Sequence, residues 1–399
     1  MPDNYDEFVA YLAGSGSSDV RGPHDRGWWS KVAIKSMKMS KATGFRWAKK
    51  AIAEGVLRED ENGLFYVSPQ GVRLPGIQGF IPVVVNFGSY DSEMGPSILR
   101  CEWSGGTKAR FQLPAELQRI KENLVSAKRA EAESRGAPFF DGILCRLDQL
   151  SYNNLADKTR KEVVLLCSET TYFDYQASNY SLERDLAPRR TIRTEYALDP
   201  SDYEGSKLSN VLSVNLAVRC SDDALVFSRR EMGLNEYPNT RHAAAAGKIN
   251  LVRRPEPDLS SDGRPDIFKA TAHEAHEELG LLSEDIEQVV FFGLVRDLIH
   301  YNPELIGVIK VKCTSTELNQ IWAHRATDKE AKSLETFYLR DEISMDDFVK
   351  AVQVEPYPIF SVRAKKVMTW VPAGHILAFW CLVRELGWLK AGERLKRHS

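Results

Sequence analysis

What this sequence lacks narrows it first. No apolar run approaches the roughly 20 residues that cross a bilayer, and the polar, acidic N-terminus does not read as a secretory signal. Neither sign of charge dominates. The 53 Lys and Arg face 55 Asp and Glu for a net charge of −2, so the chain as a whole has no pull toward nucleic acid or an anionic membrane. The six cysteines (Cys101, Cys145, Cys167, Cys220, Cys313 and Cys381) are far apart, without metal-type pairing, and mostly inside apolar runs. That excludes a disulfide scaffold and fits reduced thiols in a cytoplasmic protein. No internal repeat or low-complexity segment stands out. What is present is 43% hydrophobic content, enough for ordinary cores, over a length of 399 residues that suggests two or three domains.

Charge is concentrated locally. Between Trp28 and Ala53 there are seven Lys or Arg and no Asp or Glu. Ser40 can cap a helix that runs toward Glu54 and stops at Gly55. Phe45, Ala48 and Ile52 form its apolar stripe, and Arg46, Lys49 and Lys50 share another face. Arg58 to Val67 carries Glu61-Asn62-Gly63 between apolar residues, a hairpin signal. This outline resembles a winged helix-turn-helix over residues 1–72. The resemblance implies DNA contact through Lys41, Arg46, Lys49 and Lys50, with a protein-contact module as the equal alternative. Val72 to Ile81 is rich in Gly and Pro and reads as a linker. Residues 73–137 are expected to hold that linker and a helical or α+β extension. Its helix starts at Leu113-Pro114, turns Leu117, Ile120, Leu124 and Ala127 inward, and ends near Gly136.

Residues 273–281, His-Glu-Ala-His-Glu-Glu-Leu-Gly-Leu, carry most of the chemical information. Glu274, Glu277 and Glu278 stand three and four apart, so a helix brings them onto one face. Phe268, Ala272, Ala275 and Leu279 form a separate apolar stripe. Asp262-Gly263-Arg264-Pro265 opens the helix, and Gly280 sits where a left-handed cap belongs. Three clustered carboxylates repel one another unless a cation sits among them, and hard oxygen ligands suit Mg²⁺ or Mn²⁺. The plain alternative is a solvated acidic helix face. His273 and His276 raise the thought of zinc, but their spacing is i and i+3 rather than the i and i+4 of the helical zinc motif.

The order of residues resembles the C-terminal half of the Nudix box, Arg-Glu-U-x-Glu-Glu-x-Gly-U, where U is bulky and apolar. Glu274, Glu277 and Glu278 fall on its three metal-handling glutamates, and Gly280 and Leu281 fill its end. His273 stands where the motif has an Arg that orients the glutamates, and Ala275 is small for its position. Upstream, Ala246-Gly247-Lys248-Ile249-Asn250 resembles the opening Gly-Gly-Lys-Ile-Glu. The box glutamate six positions after that glycine falls on Arg253, and residues 255–265 look like an insertion, with Glu256, Asp258 or Asp262 as substitutes. The surrounding order resembles the family too: strands over Val211–Cys220 and Ala224–Ser228, the carboxylate helix, strands over Val289–Leu294 and Leu305–Cys313, and a closing helix over Pro372–Leu386. The segment from Thr170 to Asn179 and the run Leu225 to Arg230 look loosely like the UDP-glucose pyrophosphatase branch.

The resemblance implies an α/β Nudix sandwich, with an N-terminal α/β piece over 138–207 and the catalytic domain over 208–392. It implies a metal-dependent pyrophosphohydrolase acting on a nucleotide sugar such as UDP-glucose, or on an ADP-ribose-like diphosphate. Glu277 and Glu278 would be direct Mg²⁺ or Mn²⁺ ligands, and Glu274 a ligand or the base. Arg229, Arg230, Gly247 and Lys248 would hold the substrate. A further carboxylate would come from Glu304, Glu330 or Glu335. Tyr172, Phe173 and Tyr175 could stack on a base, although a strand-like run of aromatics is more often core. The rival readings are a transcriptional regulator whose Nudix-derived domain senses a nucleotide, and an interaction module with a dead catalytic domain. A homodimer is left open.

Overall fold

The computed structural model describes residues 57–59, 65–67, 81–154, 161–188, 190–234, 236–253, 255–328, 330–353 and 369–397. The chain divides into two compact units, Met1–Val72 with Pro358–Arg363, and Arg73–Tyr357 with Ala364–Ser399. In the first unit, β1 (Leu57–Glu59) pairs antiparallel with β2 (Phe65–Val67), Arg58 opposite Tyr66. This is the hairpin pairing expected around Glu61-Asn62-Gly63. Lys41, Arg46, Lys49 and Lys50, the basic residues expected to meet DNA, lie outside the described residues.

The second unit is mixed α/β. Its strands are β3 (Val83–Gly88), β4 (Leu99–Trp103), β5 (Ile143–Asn154), β6 (Lys161–Thr171), β7 (Asp185–Ala187), β8 (Arg190–Thr191), β9 (Ser213–Arg219), β10 (Ala224–Arg230), β11 (Arg241–His242), β12 (Ala245–Lys248), β13 (Ile286–Asp297), β14 (Pro303–Val311) and β15 (Ala331–Tyr338). Its helices are α1 (Ala115–Ser134), α2 (Tyr172–Ala177), α3 (Ile192–Tyr196), α4 (Ile267–Leu279), α5 (Ser315–Arg325), α6 (Glu342–Val352), α7 (Pro372–Leu386) and α8 (Trp388–Arg397). The main sheet has eight strands in the order β11-β10-β9-β14-β13-β3, with β12 also on β9 and β15 also on β10. Among its described strands β9 and β14 run parallel, and the other paired strands are antiparallel. A three-stranded sheet, β4-β6-β5, stands beside it.

Alternation along the strands builds two apolar layers. Val214, Leu216 and Val218 of β9 and Val226 of β10 join Ile267, Ala270, Ala275 and Leu279 of α4 in one core, which continues into Cys101, Cys145, Leu165 and Cys167 of the smaller sheet. The other face of β10 carries Phe227, whose ring meets Phe337 of β15, Phe348 of α6 and Trp370 at centroid distances of 6.3, 5.9 and 5.2 Å. Helices therefore cover both faces of the main sheet. All six cysteines are free thiols, and all but Cys313 are buried.

The carboxylate helix α4 starts later than its turn residues suggest. Asp266 is its cap, accepting from the backbone N–H groups of Phe268 (2.9 Å) and Lys269 (3.0 Å). Gly280 ends it at φ 73°, and its N–H donates to His276 O at 2.9 Å. A Cβ on Gly280 would lie 2.6 Å from Arg325 Cβ on α5, so both backbone and space require glycine.

One local reading is corrected. Tyr172, Phe173 and Tyr175 do not lie in a strand; they form α2. Thr171 accepts from the Asp174 N–H at 3.2 Å, and the Asp174 carboxylate accepts from the Thr171 N–H at 2.9 Å. This reciprocal cap overrides the β preference of the aromatics.

Candidate active site

The three glutamates of α4 open into one cleft of 570 Å³ beside the edge strand β12. Strand and helix are brought together by glycine. Gly247 has no side chain to keep α4 away, and a Cβ there would fall 2.1 Å from Glu274 Cδ. The neighbouring Ala246 N–H donates to Glu278 Oε2 at 2.7 Å. Farther along α4, the Glu277 carbonyl accepts the N–H groups of Thr327 and Asp328, both at 3.0 Å, which pins the loop after α5 against the site.

The cleft is short of positive charge. Its walls carry eight carboxylates (Glu236, Glu274, Glu277, Glu278, Asp297, Glu304, Asp328 and Glu330) against the three cations Arg230, Lys248 and Arg253. Crowding in a dry setting favours protonated carboxyls. Burial, reinforced by Glu277, pushes Glu274 up to about 7 even though Arg253 opposes the rise. Burial and the field of Glu274 drive Glu278 well above the usual carboxylate range. Burial and Asp297 do the same to Glu304, which accepts from Asn215 Nδ2 at 2.8 Å. Glu236 goes the other way: burial would raise it, but Lys248 and His300 bring it down.

Arg253 turns into the acidic cluster. Its Nη1 donates to Glu277 Oε2 and its Nη2 to Glu274 Oε1. Its Nε lies 3.5 Å from Asp258 Oδ1. Burial works against this charge, but the bond to Glu277 and the fields of Glu274 and Asp258 more than offset it, so Arg253 stays protonated. Asp258 is fully buried, accepts the Asn250 N–H at 2.7 Å, and lies 2.6 Å from His273 Nδ1. Of Glu256, Asp258 and Asp262 it alone approaches Arg253. Glu256 pairs with Lys269 at 2.9 Å, and Asp262 pairs with Arg264 at 2.6 Å, both at the surface.

The remaining sequence candidates separate cleanly. Arg230, Gly247, Lys248, Glu304 and Glu330 line the cleft; Arg229 and Glu335 do not. Glu335 bonds Arg241 Nε at 2.5 Å, with Arg229 Nη1 3.8 Å from its other oxygen. Arg230 is held by Glu330 at 2.9 Å. The Lys248 side chain has no hydrogen bond or ion pair among the described residues; its ammonium stands 4.7 Å from the centre of the Tyr175 ring. Beyond it lies a polar group that the sequence reading missed. Tyr237, at a left-handed φ of 49°, donates to Asp297 Oδ2 at 2.9 Å and sits 3.1 Å from His300 Nδ1, while the His300 ring stacks on Tyr180 at 5.4 Å. The spacing Asp297, His300, Asn302, Glu304, which interrupts two apolar strands, was the available signal.

The donor chemistry suits a hard divalent cation, since the carboxylates of Glu274, Glu277 and Glu278 line one cleft. A guanidinium already bridges two of the three groups. Among the described residues no three His, Cys, Asp or Glu side chains stand together as a group that would hold an ion. No described helix is long and apolar enough to cross a membrane.

No family model matches the chain, and no curated protein matches it. Solved structures do match in part. The MutT protein of Methanosarcina mazei is 15% identical over 44% of this chain and 94% of its own length, with a TM-score of 0.25. A mutant of the Bacillus subtilis pyrophosphohydrolase BsRppH is 12% identical over 45% of this chain and 84% of its own, also at 0.25. A Deinococcus radiodurans protein is 14% identical over 35% of this chain and 73% of its own, at 0.24. Each of these likenesses spans less than half of this chain.

Proposed function

We propose that the chain is a pyrophosphohydrolase of the Nudix type, dependent on Mg²⁺ or Mn²⁺, that cleaves a nucleoside diphosphate linked to a second group. The supporting observation is the cleft itself, in which three glutamates of one helix face an excess of further carboxylates and Lys248, whose ammonium has no ion pair among the described residues. An anionic diphosphate has no reason to enter so acidic a space alone; it enters with cations. Glu277 and Glu278 would hold the ion, with Glu274 as third ligand or base. When bound, the ion supplies charge neutralisation of the phosphates and orientation of the attacking water.

The protein's own groups do the rest. Lys248 holds a phosphate oxygen as a point charge, and Arg230 offers a forked second contact once it leaves Glu330. A carboxylate such as Glu274, poised near neutrality by burial, accepts the proton of the attacking water. Tyr172, 42% exposed at the mouth, offers a ring face for a base. A nucleotide sugar such as UDP-glucose, or an ADP-ribose-like compound, fits these requirements.

The deciding experiment is release of a nucleoside monophosphate by the purified full chain with Mg²⁺ or Mn²⁺. Absence of turnover across nucleotide sugars, dinucleotides and ADP-ribose overturns the reading.

A further inference from the structure

Arg253 does something the acidic helix would otherwise ask of a metal. Its side chain is 12% exposed, and its two terminal nitrogens bond Glu274 Oε1 and Glu277 Oε2, one oxygen from each of two proposed ligands. Charge-assisted bonds from a guanidinium to carboxylates are stronger than neutral ones, and here one nitrogen serves each of two carboxylates, so these oxygens are not idle. A divalent ion reaching Glu274 and Glu277 must share or take them. The arginine also has a place to go. Asp258 is fully buried, anchored by the Asn250 N–H, and already 3.5 Å from Arg253 Nε, so the guanidinium can keep one carboxylate partner while releasing two others.

We propose that Arg253 is a built-in counter-cation that competes with the divalent ion for Glu274 and Glu277, so that metal enters by displacing the guanidinium toward Asp258. This rests on the metal-dependent reading of the same glutamates. Where it bonds them, the Arg253 guanidinium offsets the mutual repulsion of Glu274 and Glu277. In the loaded protein it is the residue that sets how much metal the site requires. The role is also one that lysine cannot copy, because a single ammonium does not span both carboxylates in fork geometry.

The test is direct Mn²⁺ binding, by calorimetry or by the spin-resonance signal of free Mn²⁺, on the full chain and on R253Q and R253K, with no substrate present. Removing a positive charge in direct contact with two ligands is expected to tighten Mn²⁺ binding by on the order of tenfold in R253Q, with R253K between it and the parent. Parent binding with equal or weaker binding in R253Q overturns the proposal alone: Arg253 would then hold the carboxylates in place for the ion rather than compete with it. No Mn²⁺ binding by either protein overturns both the proposal and the metal reading beneath it. If R253Q does not fold, R253K decides, since it keeps the charge and loses the fork; tighter binding than the parent supports competition, and equal or weaker binding ends it.

Discussion

Gly247 and Glu274 are closer than any side chain on the strand would allow: a Cβ at Gly247 would stand 2.1 Å from the carboxyl carbon of Glu274 and 2.2 Å from its Oε2. What would be struck is the end of a flexible side chain, not backbone. Gly247→Ala should therefore push the carboxylate aside at modest cost in stability, about 1 kcal/mol, while taking it out of line with Glu277 and Glu278. We expect a loss of hydrolysis of at least about tenfold in kcat, with a melting temperature within a few degrees of the parent. Steady-state kinetics and thermal melts on one preparation separate the two effects, and a variant with full kcat would show that Glu274 need not sit where it does.

Gly88 offers the opposite case. Its φ is 84°, and an added Cβ would meet the Phe292 carbonyl oxygen at 2.1 Å and Gly293 Cα at 2.5 Å, both backbone of the neighbouring strand β13. Nothing there can swing away. Gly88→Ala should cost about 3 kcal/mol through overpacking and left-handed strain, read as a lowered urea midpoint. A midpoint unchanged from the parent would mean that the β3 edge is not paired as described.

Much of this architecture could be read from residue order because it depends on local signals. The period of apolar residues places α7 over Pro372–Leu386 and the strands near Val214, Val226, Phe291 and Ile309, and Gly280 marks the end of α4 in letters. The site was legible as a set of glutamates for the same reason, since three and four residues make one helical face. Arg253 was not, because nothing local in the sequence shows where its side chain turns, and its partner Glu274 stands 21 positions farther along the chain. Tyr237 is more distant still, 60 and 63 positions from the Asp297 and His300 that it meets. Thr171 and Asp174 carried a cap signal, but the aromatic run beside them argued for a strand.

Stability should fall in mild acid through His375. Its Nε2 donates to the Val352 carbonyl at 2.7 Å inside the α6–α7 contact, and burial lowers its proton affinity to about 4 against an ordinary 6.5. Between those values the unfolded chain takes up a proton that the folded chain refuses, so stability is constant above about 6.5 and declines as pH drops toward 4, by about 3 kcal/mol in all. Burial also lowers His242 well below its ordinary value, whereas Glu278 and Glu304 shift upward and act in the opposite sense. The informative quantity is therefore the difference between the parent and His375→Gln, measured by denaturant unfolding at pH 7 and pH 5. That difference should change with pH; if it stays flat, His375 titrates normally.

The cap of α4 links fold to site. Asp266 satisfies two N–H groups of the first helical turn, and Asp266→Ala leaves them to water at about 1 kcal/mol. Because Glu274, Glu277 and Glu278 sit one to two turns farther on, loosening the first turn should leave their spacing intact. Stability should drop with kcat nearly unchanged, which distinguishes this variant from Gly247→Ala.

Glu277→Gln and Glu335→Gln make the same one-atom change and differ only in where they stand. Glu335 lies outside the cleft, paired with Arg241, so its loss should cost at most about 1 kcal/mol and leave turnover alone. Glu277 faces the cleft, bonds Arg253, and is one of the two residues proposed to hold the ion. Its amide keeps the size of the side chain but gives up the anionic oxygen, so the fold should persist while hydrolysis falls by at least about a hundredfold. Raising Mn²⁺ should restore part of the rate only if the remaining carboxylates, Glu274 and Glu278, still take the ion. Equal rates for parent and Glu277→Gln at saturating metal would move the ion away from α4 and leave the helix with a purely structural charge.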